Sequence, residues 1–510
     1  MPTSSSEHFD VLVIGAGLSG IGAAYHLQTL CPSRTYAILE GRASIGGTWD
    51  LFRYPGVRSD SDMYTLGYRF RPWRDGKALA DGPAIKAYIE ETAAEYGIEK
   101  KIRYHHRVTR AEWSSAEARW LVTAEVGPER AVVRYTCNFL YACTGYYDYA
   151  SGYTPEFPGK SRFRGRVVHP QHWPEGLDYE GKRVVVIGSG ATAITLVPAM
   201  AEKAGHVTML QRSPTYVASI PARDAIANAL RRVLPDRAAY AAARWKNVLR
   251  GMFYYDLARR RPALMKRFLR KAARHALGRD FDVDTHFTPR YEPWDERLCL
   301  APDGDFFRAI REGRASVATD TIETFTETGI RLRSGKHLDA DIVITATGLN
   351  AKLFCGLTLV VDGAPVDLAK TTAYKGMMYS DVPNLASAVG YTNASWTLKC
   401  DLTAEHVCRL LNHMRDHGYA SVTPRVRDAS MPTEPLLGLR SGYVQRALDS
   451  LPKQGTRAPW RLHQNYLKDL FMLRFGRVAE DELAFARAPQ ETEAPRRDPR
   501  TAVVKGASHA

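Results

Sequence analysis

The sequence predicts an α/β fold: two nested doubly wound units, with a helical insertion in the second. Three observations predict it. An apolar strand, a glycine-rich turn and a helical pattern follow one another at the N-terminus, and again from residue 182. Two later apolar strands, at 139–145 and 340–348, both close on Thr-Gly, which fits nested units that each hand the chain back across an interface. Between them, Arg223 to Arg279 keeps a helical period with a strong basic excess. A chain of 510 residues has room for two or three domains of ~150 residues each. Its 45% apolar content is ample for large cores.

Phe9-Asp10-Val11-Leu12-Val13-Ile14 is apolar and β-branched, as a buried parallel strand should be. In the turn Gly15-Ala16-Gly17-Leu18-Ser19-Gly20, Gly15 permits the tight bend, Gly17 lets a pyrophosphate approach the backbone, and Gly20 lets the next helix pack on the strand. That helix, through Leu27 and Leu30, offers free N–H groups and a partial positive charge to phosphates. A second strand, Thr35 to Leu39, ends at Glu40, where a carboxylate can accept hydrogen bonds from a ribose diol. Together these features predict a Rossmann-like dinucleotide site. Gly46-Gly47-Thr48-Trp49-Asp50 and Tyr54-Pro55-Gly56-Val57-Arg58-Ser59-Asp60 then describe a tight loop, neither strand nor helix. Open α/β folds bind ligands at this sheet edge. Trp49 either covers a flat ring there or anchors the loop. Asp60 either approaches the ligand or caps the helix that Asp60-Ser61-Asp62 precedes.

Residues 83 to 97 read as an amphipathic helix, and 102 to 135 as a β-meander with His105 and His106 on its surface. Cys137 and Cys143 stand six apart on one strand. That even spacing points both to one face, at a distance no unstrained disulfide spans. The seven cysteines lack metal-type spacing and read as reduced thiols in a cytosolic protein. Gly145 to Gly159 reads as a crossover between domains. In Phe163 to Pro174, His169 and His172 have no neighbouring Cys or carboxylate to complete a metal site and read as structural.

Lys182 to Ile187 is a third buried strand, followed by a second fingerprint, Gly188-Ser189-Gly190-Ala191-Thr192-Ala193. Its partner strand, Val207 to Leu210, ends at Gln211-Arg212-Ser213. The acidic position of the first site is therefore basic in the second. A carboxylate repels a 2′-phosphate, whereas a guanidinium binds it bidentately. The first site suits the unphosphorylated ribose of FAD, and the second suits NADPH over NADH. The plainer reading of Arg212 is a surface arginine.

Arg223 to Arg279 holds 16 Lys or Arg against 3 Asp or Glu, with Trp245, Phe253, Tyr254, Tyr255 and Phe268 interleaved. A membrane surface or nucleic acid would suit it, but no nucleic-acid recognition motif accompanies it, and a solvated basic face is the favoured reading. The net charge of +15 favours anionic partners, and dinucleotides are among them. Residues 305 to 312 read as a short helix, 316 to 333 alternate, and Asp401 to Met414 reads as an amphipathic helix. The N-terminus has no signal-peptide pattern, and no run of ~18 apolar residues predicts a membrane span. From Ala488 the composition predicts disorder. The expected domains are 1–150 and 351–487 for the FAD unit, 151–350 for the NADPH unit with an insertion at about 222–285, and a tail at 488–510.

A flavin beside a nicotinamide implies hydride transfer. With no paired active-site cysteine motif for disulfide reduction, the remaining common fate of the reduced flavin is reaction with oxygen. The chain resembles the flavin-dependent Baeyer–Villiger monooxygenases. Phe163, Gly165, His169, Trp173 and Pro174 match every fixed position of that family's signature. Gly46, Gly47, Trp49, Tyr54, Pro55, Gly56 and Asp60 match its second signature. Gly46 to Tyr68, Pro293 to Leu300 and Tyr374 to Asp401 look more narrowly like a member that also oxidises thioamides. The resemblance implies that Gly15, Gly17, Ser19, Gly20, Glu40, Thr48, Trp49, Asp50, Asp60 and the backbone near Val108 hold FAD. It implies that Gly188, Ser189, Gly190, Thr192, Arg212 and Ser213 hold NADPH. Arg297 matches the active-site arginine that stabilises a C4a-peroxyflavin, and Asp60 the carboxylate that positions it. His169 and Trp173 match residues that couple the domains. The implied reaction uses O2 and NADPH to turn ketones into esters or lactones, and to oxygenate sulfides and thioamides at sulfur. The rival is an N- or S-oxygenating flavin monooxygenase, whose signature differs where Trp173 stands. The expected setting is cytoplasmic, with weak contact at the inner membrane surface left open, no nucleic acid and no metal.

Overall fold

The computed structural model describes residues 6–296 and 298–488. Arg297 and the tail from 489 lie outside the described residues. The first strand, Glu7–Ile14, pairs in parallel with Tyr36–Leu39 on one side and Ala131–Ala142 on the other. Six further strands complete a nine-stranded sheet, among them Thr358–Val361 and Leu385–Ser387 from the far end of the chain. The second unit is a five-stranded parallel sheet in the order Ala315–Thr319, His206–Gln211, Arg183–Ile187, Ile342–Thr345, Arg166–Val168. The fold is thus the predicted pair of nested Rossmann-like units.

Two linkers join the sheets, and they pair with each other. Tyr147–Gly152 leaves the first sheet and Leu349–Ala351 returns to it, as an antiparallel ribbon. The basic stretch forms helices Ala225–Val233, Asp236–Arg260 and Pro262–Leu277. Its anchor is Arg244, which is buried and donates to the carbonyls of Tyr64 at 2.9 Å and Gly67 at 2.8 Å.

Three sequence readings need correction. Cys137 and Cys143 do not share a face. Cys137 packs in the core with Trp113 and Trp120, whereas Cys143 packs on the opposite side with Val11 and Tyr141. The strand changes partner at Asn138, from Arg119–Val126 before it to Leu385–Ser387 after it. Asn384 sits at the change, donating to the Asn138 carbonyl at 2.8 Å, and the alternation is rephased. Both thiols are free. Thr48–Leu51 forms one helical turn inside the supposed loop.

The helix expected at 401–414 runs from Trp396 to His417, and residues 397–408 are all buried. It is a core helix, because the first helix and the segment around 466–475 cover its polar positions with partners. Lys399 pairs with Asp469 at 2.9 Å, and Asp401 with His26 at 2.7 Å. His26, Asp401 and Glu405 gather as a metal site would, but Arg69 reaches both carboxylates and makes the group an ion-pair cluster.

Candidate active site

Both fingerprint helices start without a side-chain cap. Gly17 precedes Leu18–Leu30 and Gly190 precedes Ala191–Met200, each with extended backbone. Elsewhere Asp62, Asp81, Asp224 and Asp282 cap helices by accepting an N–H. The first-turn N–H groups of the two fingerprint helices are thus left for an anion.

The glycines are required by space. A Cβ on Gly20 would lie 1.9 Å from the Gly15 carbonyl oxygen, and one on Gly15, at φ +101°, 2.7 Å from the Cys143 carbonyl oxygen. Gly17 faces a second glycine turn, where Gly47 sits at φ +57° and a Cβ would lie 3.2 Å from the Gly17 Cα. The Gly46 N–H donates to the Ala16 carbonyl at 3.0 Å. Side chains would fill this cleft between bare backbones, so its shape fits a pyrophosphate.

Glu40 is buried at the end of the second strand. Its carboxylate accepts the Ala16 N–H at 2.8 Å and the Arg42 N–H at 2.9 Å. Burial pushes its carboxyl up against those two bonds. Each oxygen keeps a lone pair for a further donor, and the residue lines the cavity described below. Asp50 stands behind the turn, off the cavity wall, held by Lys86 at 2.8 Å and by Arg42. Burial pushes its carboxyl up, and the two cations bring it below the ordinary range. Ser19 accepts from the Trp396 indole at 3.1 Å, and Thr48 pairs with Tyr149. Val108 stands at a bulge that interrupts the ladder before Arg110, and it lines the cavity described below.

A cavity of about 1600 Å³ joins these parts. Ordinary small-molecule pockets measure roughly 300–1000 Å³, so this one has room for a dinucleotide and more. Gly15, Gly17, Ser19, Thr48, Trp49 and Val108 line one end, with Asp60, Tyr54 and Thr192 further along. His106, read as a surface residue, is half-buried on the same wall. Asp62 caps the helix Met63–Leu66, accepting the Thr65 N–H at 3.1 Å, so Asp60 is not the cap, and both carboxylates are on the wall. Trp294 and Leu298, on either side of Arg297, are on the wall too. Gly188, Ser189, Gly190, Arg212 and Ser213 follow the C-terminal ends of two inner strands of the second sheet and are not on this wall. Arg212 is exposed, and its charge pulls against the burial that pushes the Glu296 carboxyl up.

The comparisons with known proteins agree with this geometry. The family description "Flavin-binding monooxygenase-like" matches residues 79–230, and "NAD(P)-binding Rossmann-like domain" matches 13–76. The chain is 56% identical over 485 residues to the FAD-containing monooxygenase EthA of Mycobacterium tuberculosis, covering 95% of this chain and 99% of that protein. The EthA of Mycolicibacterium smegmatis is 55% identical over 483 residues, covering 94% and 98%. The chain belongs to the flavin-containing monooxygenase family. Among solved structures, an oxidized steroid monooxygenase bound to NADP shares its fold at TM-score 0.75 and 23% identity, covering 94% of this chain and 100% of that one. OTEMO in complex with FAD and NADP does so at TM-score 0.67 and 24% identity, covering 82% and 88%.

Several contacts in this monooxygenase were not legible beforehand. Tyr54 is buried and pairs with Thr192, and burial pushes its hydroxyl up to about 12, so it stays neutral. Beside it, a Cβ on Gly56 would lie 2.6 Å from the Ala199 Cβ, so the loop of the first unit lies flat on the fingerprint helix of the second. Arg58 pairs across the same junction with Asp305 at 2.5 and 3.3 Å. Trp396 stacks on Tyr146, with ring centroids 4.9 Å apart. A tryptophan at a helix start carries no mark that would have singled it out.

The segment Phe163 to Pro174 clamps the ribbon between the sheets. The Gln171 amide donates to the Asp148 carbonyl at 2.7 Å, and His172 pairs with the Ala150 carbonyl at 3.0 Å. The His169 Nδ1 accepts the Gln171 N–H at 3.2 Å, so its Nε2 carries the proton and donates to the Gly348 carbonyl at 3.2 Å. Burial holds its pKa below the usual imidazole range. Trp173 packs, half-buried, on the core of the second unit.

Proposed function

We propose that this monooxygenase is of the Baeyer–Villiger type, holding FAD on the first glycine turn and NADPH on the second. It converts ketones to esters or lactones and also oxygenates sulfides and thioamides at sulfur. One observation supports the reading above the others. A single cavity runs from the first glycine turn, past Glu40 and Trp49, to Asp60, Thr192, Trp294 and Leu298. When bound, the two cofactors supply the electrons and the activation of O2.

The chain's own residues do the rest. The uncapped helix starts and the facing glycine turns hold pyrophosphates against bare backbone. Glu40 accepts from the FAD ribose, and Arg212 with Ser213 takes the 2′-phosphate of NADPH. Arg297 stabilises negative charge as it develops on the reacting oxygen, and Asp60 positions that guanidinium. Apolar wall residues such as Met252, Leu298 and Leu300 limit water near the reacting atoms. His169 and Trp173 keep the two units in register. Residues 1–150 and 351–487 form the FAD domain and 151–350 the NADPH domain. No described helix is long and apolar enough to cross a membrane. The reading is of a cytoplasmic enzyme, with peripheral contact between its basic insertion and the inner membrane surface.

The test is purified holoenzyme with NADPH and a ketone such as phenylacetone, followed by analysis for the ester. Sulfoxide formation without ester would favour the alternative, an N- or S-oxygenating flavin monooxygenase without ketone activity. Arg297→Ala is expected to keep its flavin and lose oxygenation by roughly 10²–10³-fold. Ester formation at the wild-type rate would remove Arg297 from the mechanism.

A further inference from the structure

The three insertion helices leave a band of large apolar side chains uncovered. On Asp236–Arg260, Trp245, Leu249 and Phe253 recur every fourth residue on one stripe, and Leu249 and Phe253 are 51% and 63% exposed. On Pro262–Leu277, Leu264 and Phe268 repeat the spacing, and Phe268 is 61% exposed. Ile226 and Val233 add two more on the first helix. Single exposed apolar residues need no explanation, but this many on three helices packed in series mark a contact surface.

The charge says what kind. Arg250, Arg261, Arg267 and Lys271 are exposed between these side chains, and none has an ion-pair partner among the described residues. Apolar side chains flanked by unpaired cations are the pattern of a helix that lies in the interface of an anionic bilayer. A like-charged second copy would be repelled by the same cations. The cavity opens here as well. Tyr254 and Phe268 are exposed and also line the cavity wall, with Met252 and Leu269 behind them.

We propose that this face docks on a bilayer rich in anionic phospholipid, and that apolar substrate enters the cavity from the lipid between Tyr254 and Phe268. The entry step rests on the monooxygenase reading, whereas the docking does not.

The experiment is flotation of the FAD-loaded enzyme with phosphatidylcholine vesicles, with and without phosphatidylglycerol. Binding is expected only with phosphatidylglycerol, and it should weaken as salt rises. Leu249→Glu with Phe253→Glu, neither of which lines the cavity, should lower the bound fraction about tenfold or more, with flavin content unchanged. Arg261→Glu with Arg267→Glu should do the same through charge alone. Both variants should turn over a small water-soluble ketone like wild type, and lose turnover of a long-chain ketone dissolved in the vesicles. Wild type that stays off anionic vesicles, or variants that bind as well as wild type, would overturn the docking. So would a dimer, seen by light scattering, that the same substitutions break. Vesicle binding without turnover of either ketone would sink the entry step and the Baeyer–Villiger reading together, and leave the docking standing.

Discussion

Arg212 and Glu40 occupy the same place in two copies of one motif and carry opposite charge. Glu40 is buried and already holds two backbone N–H groups, so its carboxylate is fixed before any ribose arrives. Arg212 is exposed, and its guanidinium is free to close on an anion. A charge-assisted pair of this type contributes about 1.5–3 kcal/mol. Arg212→Ala is therefore expected to raise KM for NADPH at least about tenfold while leaving KM for NADH nearly unchanged. Steady-state kinetics with both cofactors checks it, and an unaltered ratio would leave the 2′-phosphate without its partner. At this scale one ambiguity in the sequence was real. Asp60 and Asp62 are equally plausible helix caps by type, and only the Thr65 N–H on Asp62 assigns the cap.

Among the elements, the paired strands Tyr147–Gly152 and Leu349–Ala351 are the two connections between the sheets. The Phe163 to Pro174 segment reaches both linkers through backbone carbonyls, by His169 at a fixed position of that signature and by Gln171 and His172 between fixed positions. His169 needs its neutral form there, with Nδ1 accepting and Nε2 donating. A second proton would turn Nδ1 towards a donor and break that bond. Its pKa is lower in the folded than in the unfolded state, where it is near 6.5. The stability it contributes is therefore present above about pH 6.5 and is lost as pH falls below that value towards the folded one. His169→Gln should flatten the decline of urea stability between about pH 7 and 5. An identical pH profile in the variant would exclude His169 as its source.

Over the whole molecule, the large cavity lies between residues far apart in sequence. Its wall runs from Gly15 through Thr192 to Trp396, and the central helix 396–417 is itself packed against the first fingerprint helix. A ligand that fills this space ties the two ends of the chain together, and it binds only the folded state. Flavin at ~1,000 times its Kd would contribute about 4 kcal/mol to stability. Stripping FAD should lower the thermal midpoint, and adding it back should restore the midpoint in a concentration-dependent way. A midpoint indifferent to flavin would mean that the cavity holds something else.

What the sequence determined by itself is local. Strand, glycine turn, helix and the charged strand end are set by φ > 0, by bare backbone and by one side chain at a fixed offset, so both nucleotide turns can be read from short stretches. Tertiary structure alone decided which distant pieces meet. The rephasing of the strand at Asn138 needs Asn384, and the burial of Lys399, Asp401 and His406 needs partners at His26, Asp469 and Leu473. The seat of Gly56 on the second fingerprint helix needs Ala199. Periodicity records which side of an element is apolar, and a polar helix counts as exposed until its partners, supplied from elsewhere in the chain, take the place of water.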